Sequence, residues 1–209
     1  FPLAYLIWNS FLNLNLAMPW GNGFAGLDNY AQMMGDSQFW FSLKLTAIYT
    51  VSSVALQLII GLGLALMVIQ IPKGQWVFRL AAILPIVLAP VVVGLFWRTL
   101  MLAPNFGIVD FIVRALGFES VNWLGAPVPA LISVIIIHTW QWTPFAFLVL
   151  LASLASLPPD LYEAAKIDRA NPVQRFIHIT LPLIRPAIVI VVIMRSMIAL
   201  SAFAAIFAA

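Results

Sequence analysis

The sequence predicts an all-α fold, a polytopic bundle of membrane-spanning helices. Three observations predict it. The 209-residue chain is 64% hydrophobic and 8% charged, with a mean hydropathy of +1.06, more apolar surface than a water-soluble domain can bury. Its apolar residues fall in long runs without a charge. Those runs are continuous, whereas the strands of a membrane barrel alternate apolar and polar residues.

A bilayer core of about 30 Å needs roughly 20 apolar residues per helix. Four segments meet that length, at 45–70, 80–102, 129–152 and 183–209. Residues 1–12 are apolar but too short to cross, and they lack the basic start and small-residue cleavage site of a signal peptide. They read as the outer half of a first span. The chain also stops within an apolar run, so the sequence reads as a piece truncated at both ends, residues 1–209 forming one transmembrane domain. Cysteine is absent, which removes disulfides and thiolate metal sites. No metal site and no nucleic-acid partner are expected; the expected solvent of the spans is membrane lipid.

Orientation follows from the basic residues between spans. Segments 71–79 and 153–185 carry Lys73, Arg79, Lys166, Arg169, Arg175 and Arg185. Segments 13–44 and 103–128 carry Lys44 and Arg114, with Asp28, Asp36, Asp110 and Glu119. Six cations against two place 153–185 in the cytoplasm.

That segment is the most informative in the chain. Three acids and four bases gather between Asp160 and Arg185. Pro158 and Pro159 end one helix and start another. Residues 161–167 are predicted as a short helix. Asn171 precedes Pro172 and is pushed out of helical geometry. Residues 173–179 are predicted as a second short helix, closed by Pro182. Two short helices at an angle make a knob that fits a groove.

The series Glu163, Ala164, Ala165, Asp168, Ala170, Phe176, Ile179, Leu181 and Pro182 resembles the EAA motif of permease subunits of binding-protein-dependent ABC importers. GLDNY at residues 26–30, Leu84–Pro85 with Pro90 and Trp97, WQWTPF at 140–145 and LPPDLYEAA at 157–165 resemble the permeases of sugar, polyol and glycerol-phosphate importers, in particular the larger, maltose-type partner. One residue departs: Arg169 stands where the family has glycine. Arginine is expected to turn there in ordinary right-handed or bridge geometry.

The resemblance implies a bacterial or archaeal inner-membrane importer. It implies a second permease subunit, two ATPase subunits and an extracytoplasmic solute-binding protein. ATP and magnesium would be held by the ATPase partners and no cofactor by this chain, which has no GxxxxGK[ST] loop. It also implies that 159–180 is a cytoplasmic coupling helix-turn-helix. Glu163 would be its ion-pairing residue, Ala164 and Ala165 would permit close approach, and Asp168, Arg169 and Arg175 would flank the contact.

The substrate path is sought among irregular helices and polar residues at membrane depth. Pro85 and Pro90 are expected to break the 80–102 span, and Pro144 the 129–152 span. Before Pro144 lie His138, Trp140, Gln141 and Trp142, where indole faces suit a sugar ring and an amide suits hydroxyls. His138 and Trp142 share a helix face. Arg195, roughly 20 Å into the last span at 1.5 Å per residue, is expected to face the bundle interior. Gly61 and Ala65 form a small-residue edge for helix packing. A secondary transporter or channel would more often carry acids within its spans, and none occurs here. A polytopic membrane enzyme would need convergent carboxylates or histidines. His138 and His178 fall in different compartments on this topology.

Overall fold

The computed structural model describes residues 2–14, 23–71 and 73–207, with side chains up to residue 201. Phe1 and residues 208–209 of the predicted spans lie outside the described residues. The chain divides into two compact units, residues 1–48 and 49–209.

In the first unit, helix α1 (Pro2–Ser10) leads into a two-stranded ribbon, β1 (Leu12–Asn13) against β2 (Gly23–Phe24). Helix α2 (Asp28–Gly35) follows. The GLDNY residues knit this unit together. Gly26 takes the left-handed φ of +56°, open to glycine without penalty. The Asn29 amide donates to the carbonyls of Ser10 (2.9 Å) and Leu12 (3.1 Å), and the Tyr30 hydroxyl meets that of Ser10.

Helix α3 (Ser37–Ile69) begins eight residues before the predicted 45–70 span. Asp36 accepts a hydrogen bond from the Gln38 N–H (2.8 Å) and so starts the helix early. The 129–152 span is realised as α7 (Pro127–Ala155). Pro144 does not break it: α7 is uninterrupted there. Pro144 is buried in the bundle, and the Thr143 hydroxyl bonds back to the Thr139 carbonyl (2.7 Å). Neighbouring helices and a hydroxyl commonly accommodate a proline in a membrane span.

The 80–102 span is the irregular one. It folds as α4 (Gln75–Val87) and α5 (Pro90–Phe96), continued by a wider π-type turn at Trp97–Met101. The two halves are bent by 95°. The break falls at Leu88–Ala89, where both residues are extended. Pro85 lies inside α4, and Pro90 occupies the first turn of α5, where its missing N–H is no loss. Pro90 therefore marks the break and Pro85 does not. Three helices are long and apolar enough to cross a membrane, or four with the bent pair as one span, among the described residues.

After a short α6 (Ile108–Ala115) and α7 come α8 (Pro159–Ile167), α9 (Pro172–Arg175), a π-type turn at Phe176–Thr180 and α10 (Leu181–Phe207). Pro182 does not close the second short helix as expected. It sits in the first turn of α10, so α9, the π turn and α10 run on without a break.

Two apolar side-chain layers set helix directions in the second unit. Tyr49, Ile135 and Ala199 pack together at one level, and Ala65, Leu150 and Ile184 at another. Helices α3 and α7 therefore run the same way and α10 runs against them. The end of α3 and the 153–185 elbow lie at the same end of these helices, in keeping with the charge grouping. A Cβ on Gly61 would stand 2.9 Å from Ala146 Cβ and 3.0 Å from Phe147 N. Glycine there lets α3 and α7 touch backbone to backbone.

Gly61→Val is expected to cost about 1–3 kcal/mol by overpacking, read as a lower melting temperature in detergent. Gly63→Ala, where no atom lies within 4 Å, should leave it unchanged.

Candidate functional site

Between the two apolar layers lies a polar one. Arg195 of α10 is fully buried. Its Nε donates to Gln57 Oε1 of α3 at 2.8 Å, and its Nη2 lies 3.2 Å from His138 Nε2 of α7. Gln57 Nε2 lies 3.2 Å from His138 Nδ1, closing a triangle. The guanidinium sits 4.3 Å from the centre of the Trp142 ring, a cation–π contact of about 2 kcal/mol when desolvated. The Tyr49 ring packs 5.2 Å from the imidazole.

The triangle holds one donor too many. Both imidazole nitrogens face N–H groups, yet a neutral imidazole accepts at only one nitrogen. Arg195 Nη1 is also buried without a hydrogen-bond partner among the described residues. Helices α3, α7 and α10 contain no Asp or Glu. A whole positive charge is thus held by an amide, an imidazole and an indole face. Arg195 was expected to face the interior, and it does. His138 and Trp142 share a face, with rings 6.4 Å apart.

Trp140 and Gln141 go elsewhere. Gln141 donates to the Leu88 carbonyl at 3.4 Å, at the break in the bent pair. Trp140 stacks on Phe96 (6.2 Å, 20°) and meets Trp97 edge-on (5.7 Å, 71°). Trp97 and Trp140 border an apolar cavity of about 390 Å³, which Pro85 and Pro144 also line. The predicted polar cluster therefore divides into an Arg195 group and a bend group. Sequence reading missed the part played by Gln57. The available signal was the spacing Tyr49, Ser53, Gln57, three buried residues one turn apart in an apolar helix.

The second cluster is the elbow at the far end of α7. Helix α8 ends in a Schellman turn: the Ala170 N–H bonds the Ala165 carbonyl (2.9 Å), and the Arg169 N–H bonds the Lys166 carbonyl (3.0 Å). The residue between must be left-handed, and Arg169 has φ +56°. The expectation of an ordinary right-handed turn is therefore corrected: this chain bends as a glycine would, with an arginine in place. Two residues later Asn171 and Gln174 form a reciprocal capping box (2.9 and 2.8 Å) that starts α9. The Tyr162 hydroxyl meets the Thr180 hydroxyl at 2.9 Å, pinning α8 to the foot of α10.

Glu163, Ala164, Asp168 and Arg169 are exposed on this elbow, and Arg175 is half-buried. Ala165 was expected on the contact face, but it is buried inside the elbow. Its small size lets the elbow close around it. A cleft of about 380 Å³ opens beside it, bordered by Asp168, Gln174, Arg175 and His178.

Long apolar helices, α10 antiparallel to α3 and α7, packed around a buried cation with a capped polar elbow at one end, define a helical integral membrane protein. A family model described as "Binding-protein-dependent transport system inner membrane component" matches residues 57–207, and the chain belongs to that family. It is 38% identical over 180 residues to the trehalose/maltose transport system permease protein MalF of Thermococcus litoralis, covering 86% of this chain and 61% of the relative. It is 35% identical over 203 residues to the sulfoquinovosyl glycerol transport system permease protein SmoG of Agrobacterium fabrum, covering 97% and 66%. The sn-glycerol-3-phosphate transport system permease protein UgpA of Yersinia pestis is 34% identical, with 88% and 62% covered. The chain thus spans a little under two thirds of the length of these relatives. Among solved structures, a bacterial ABC transporter involved in import of the acidic polysaccharide alginate matches with a TM-score of 0.71 at 26% identity, over 93% of this chain and 70% of that one.

Two outcomes are expected. Gln57→Leu strips Arg195 of its best acceptor and should lower stability by about 2–4 kcal/mol, more than Arg195→Met, which removes the surplus donors with the charge; thermal unfolding followed by tryptophan fluorescence separates them. Arg169→Gly should slow amide exchange at residues 168–171 by relieving about 1 kcal/mol of left-handed strain, and Arg169→Val should speed it.

Proposed function

We propose that this chain forms part of the permease subunit of an ATP-driven importer for a carbohydrate-type solute, and that it is coupled to a separate ATPase subunit through the elbow at 159–180. The carrying observation is the elbow's build. Helix α8 is exposed on its Glu163–Ala164 side, yet it is fastened to the foot of a membrane span by a Schellman turn, a capping box and the Tyr162–Thr180 hydroxyl pair. A polar helix so rigidly mounted is suited to receive force from a partner and pass it into the bundle. Glu163 would make the principal ion pair, with Asp168 and Arg169 beside it.

The full importer would comprise a second permease subunit, two ATPase subunits holding ATP and magnesium, and an extracytoplasmic solute-binding protein, in a bacterial or archaeal inner membrane. The alginate transporter has been solved with a pentasaccharide-bound periplasmic protein, which supports the last of these partners. The elbow would then face the cytoplasm, a reading supported by six loop cations against two. The solute would be a sugar, a polyol or a glycerol phosphate, in line with the relatives' names. The Arg195–His138–Trp142 group is the better placed of the two polar clusters to border its path, since it joins all three long helices at one level.

The cysteine-free chain allows a clean test. A photo-crosslinker at residue 163 in the reconstituted complex should capture the ATPase subunit. Glu163→Lys should cut solute uptake about tenfold or more, the scale of losing a buried charge pair, while insertion stays normal and ATP hydrolysis no longer tracks uptake. Unchanged uptake in that variant would refute the docking role.

A further inference from the structure

We infer that α6 and its flanking turns form a fixed interfacial anchor whose outward face sits among the acyl chains and glycerol groups of bilayer phospholipid. Helix α6 has two opposed faces. Val109, Asp110 and Val113 turn inward, Val109 packing against the Val93–Trp97–Leu102 layer. Ile108, Phe111, Ile112 and Leu116 recur at helical spacing on the other side, 51–69% exposed, with Phe106 (78%) and Phe118 (68%) at either end. Single exposed apolar residues are ordinary, but six large ones on one short loop need a cover.

The loop is not free to fold that face away. Buried Asp110 accepts from the N–H groups of Asn105 (2.9 Å) and Val121 (3.1 Å) and from the Ser120 hydroxyl (3.0 Å). Burial pushes its carboxyl pKa up, but these donors and nearby Arg114 together hold it below the usual value. A Cβ on Gly107 would lie 2.6 Å from the Met101 carbonyl oxygen, so the entry turn admits no side chain. The apolar face is held outward by a rigid frame.

Lipid is the cover that fits. The helices that flank the loop in sequence also expose large apolar residues, Val92, Leu95 and Leu100 before it and Val128 and Ile132 after it. A loop that joins two spans starts and ends at the membrane interface. Exposed Arg98 lies ahead of the loop in sequence, and exposed Arg114 lies on α6 with its guanidinium tethered to Asp110 (3.4 Å) and to the Asn105 carbonyl, while the one acid of α6 is turned inward. Cations at the rim of an apolar helix face suit lipid phosphates. Glu119 is the nearest exposed acid, beyond the end of α6.

Nitroxide labels on single cysteines at Phe111, Ile112 and Glu119 test this in the assembled complex, in nanodiscs of phosphatidylethanolamine and phosphatidylglycerol. Labels at 111 and 112 should collide with oxygen several-fold more than with a water-soluble nickel chelate, and the label at 119 should show the reverse. Nickel access at 111 and 112 equal to that at 119 would overturn the inference. So would shielding from both reagents, which would mean a protein cover such as a second subunit or a solute-binding protein. The two α6 positions report independently, so a folding defect at one leaves the other decisive. The result does not depend on ATPase coupling, and loss of that coupling would leave it standing.

Discussion

A buried guanidinium without a carboxylate is the constraint around which the long helices are arranged. Arg195 cannot reach water, and no acid in α3, α7 or α10 answers it. The charge is tolerable only if dipoles and a π face converge on it from separate helices. Gln57 comes from α3, His138 and Trp142 from α7. The polar layer therefore sets the register of three helices, and the apolar layers above and below fill in around it. Helix packing in lipid has little hydrophobic drive, so close backbone contact at Gly61 and a polar tie at Arg195 do what a greasy core does in water. The unmet donors at Arg195 and His138 keep this tie short of full satisfaction.

Much of this was legible in the residues. Long uncharged runs located the spans, and the EAA series located the elbow and the family. The charge count grouped the loops as the helix directions do. The depth of Arg195 and the 138/142 spacing identified three members of the polar layer. Other features were not legible because they depend on long-range partners. Gln57 is an ordinary polar residue until α10 brings Arg195 to it across 138 positions. Trp140 and Gln141 looked like one group with Trp142, but adjacent residues on a helix point about 100° apart, and the bent pair draws them to its own side.

Proline guided well at the elbow and poorly within the apolar runs. Pro85, Pro144 and Pro182 all lie within continuous helix, whereas Pro90, Pro158–Pro159 and Pro172 stand at helix starts after a break. In lipid a broken backbone group has no water to turn to, so the surroundings favour keeping the helix whole. Arg169 shows the opposite error. Residue type argued for a right-handed turn, and the Schellman hydrogen bonds required a left-handed one. Local preference yields where two helix ends must both be capped within four residues.

The wide turn at Phe176–Thr180 carries a consequence for everything beyond it. Such a turn takes up roughly one residue more than an α-helix does over the same stretch, and each residue rotates a helix by about 100°. The direction in which position 195 points is thus dialled four turns upstream, at the membrane threshold. Ironing this swelling out into plain α-helix would swing the guanidinium from the heart of the bundle toward its flank. Any event that reshapes the foot of α10 acts as a clutch on a charge some 20 Å away.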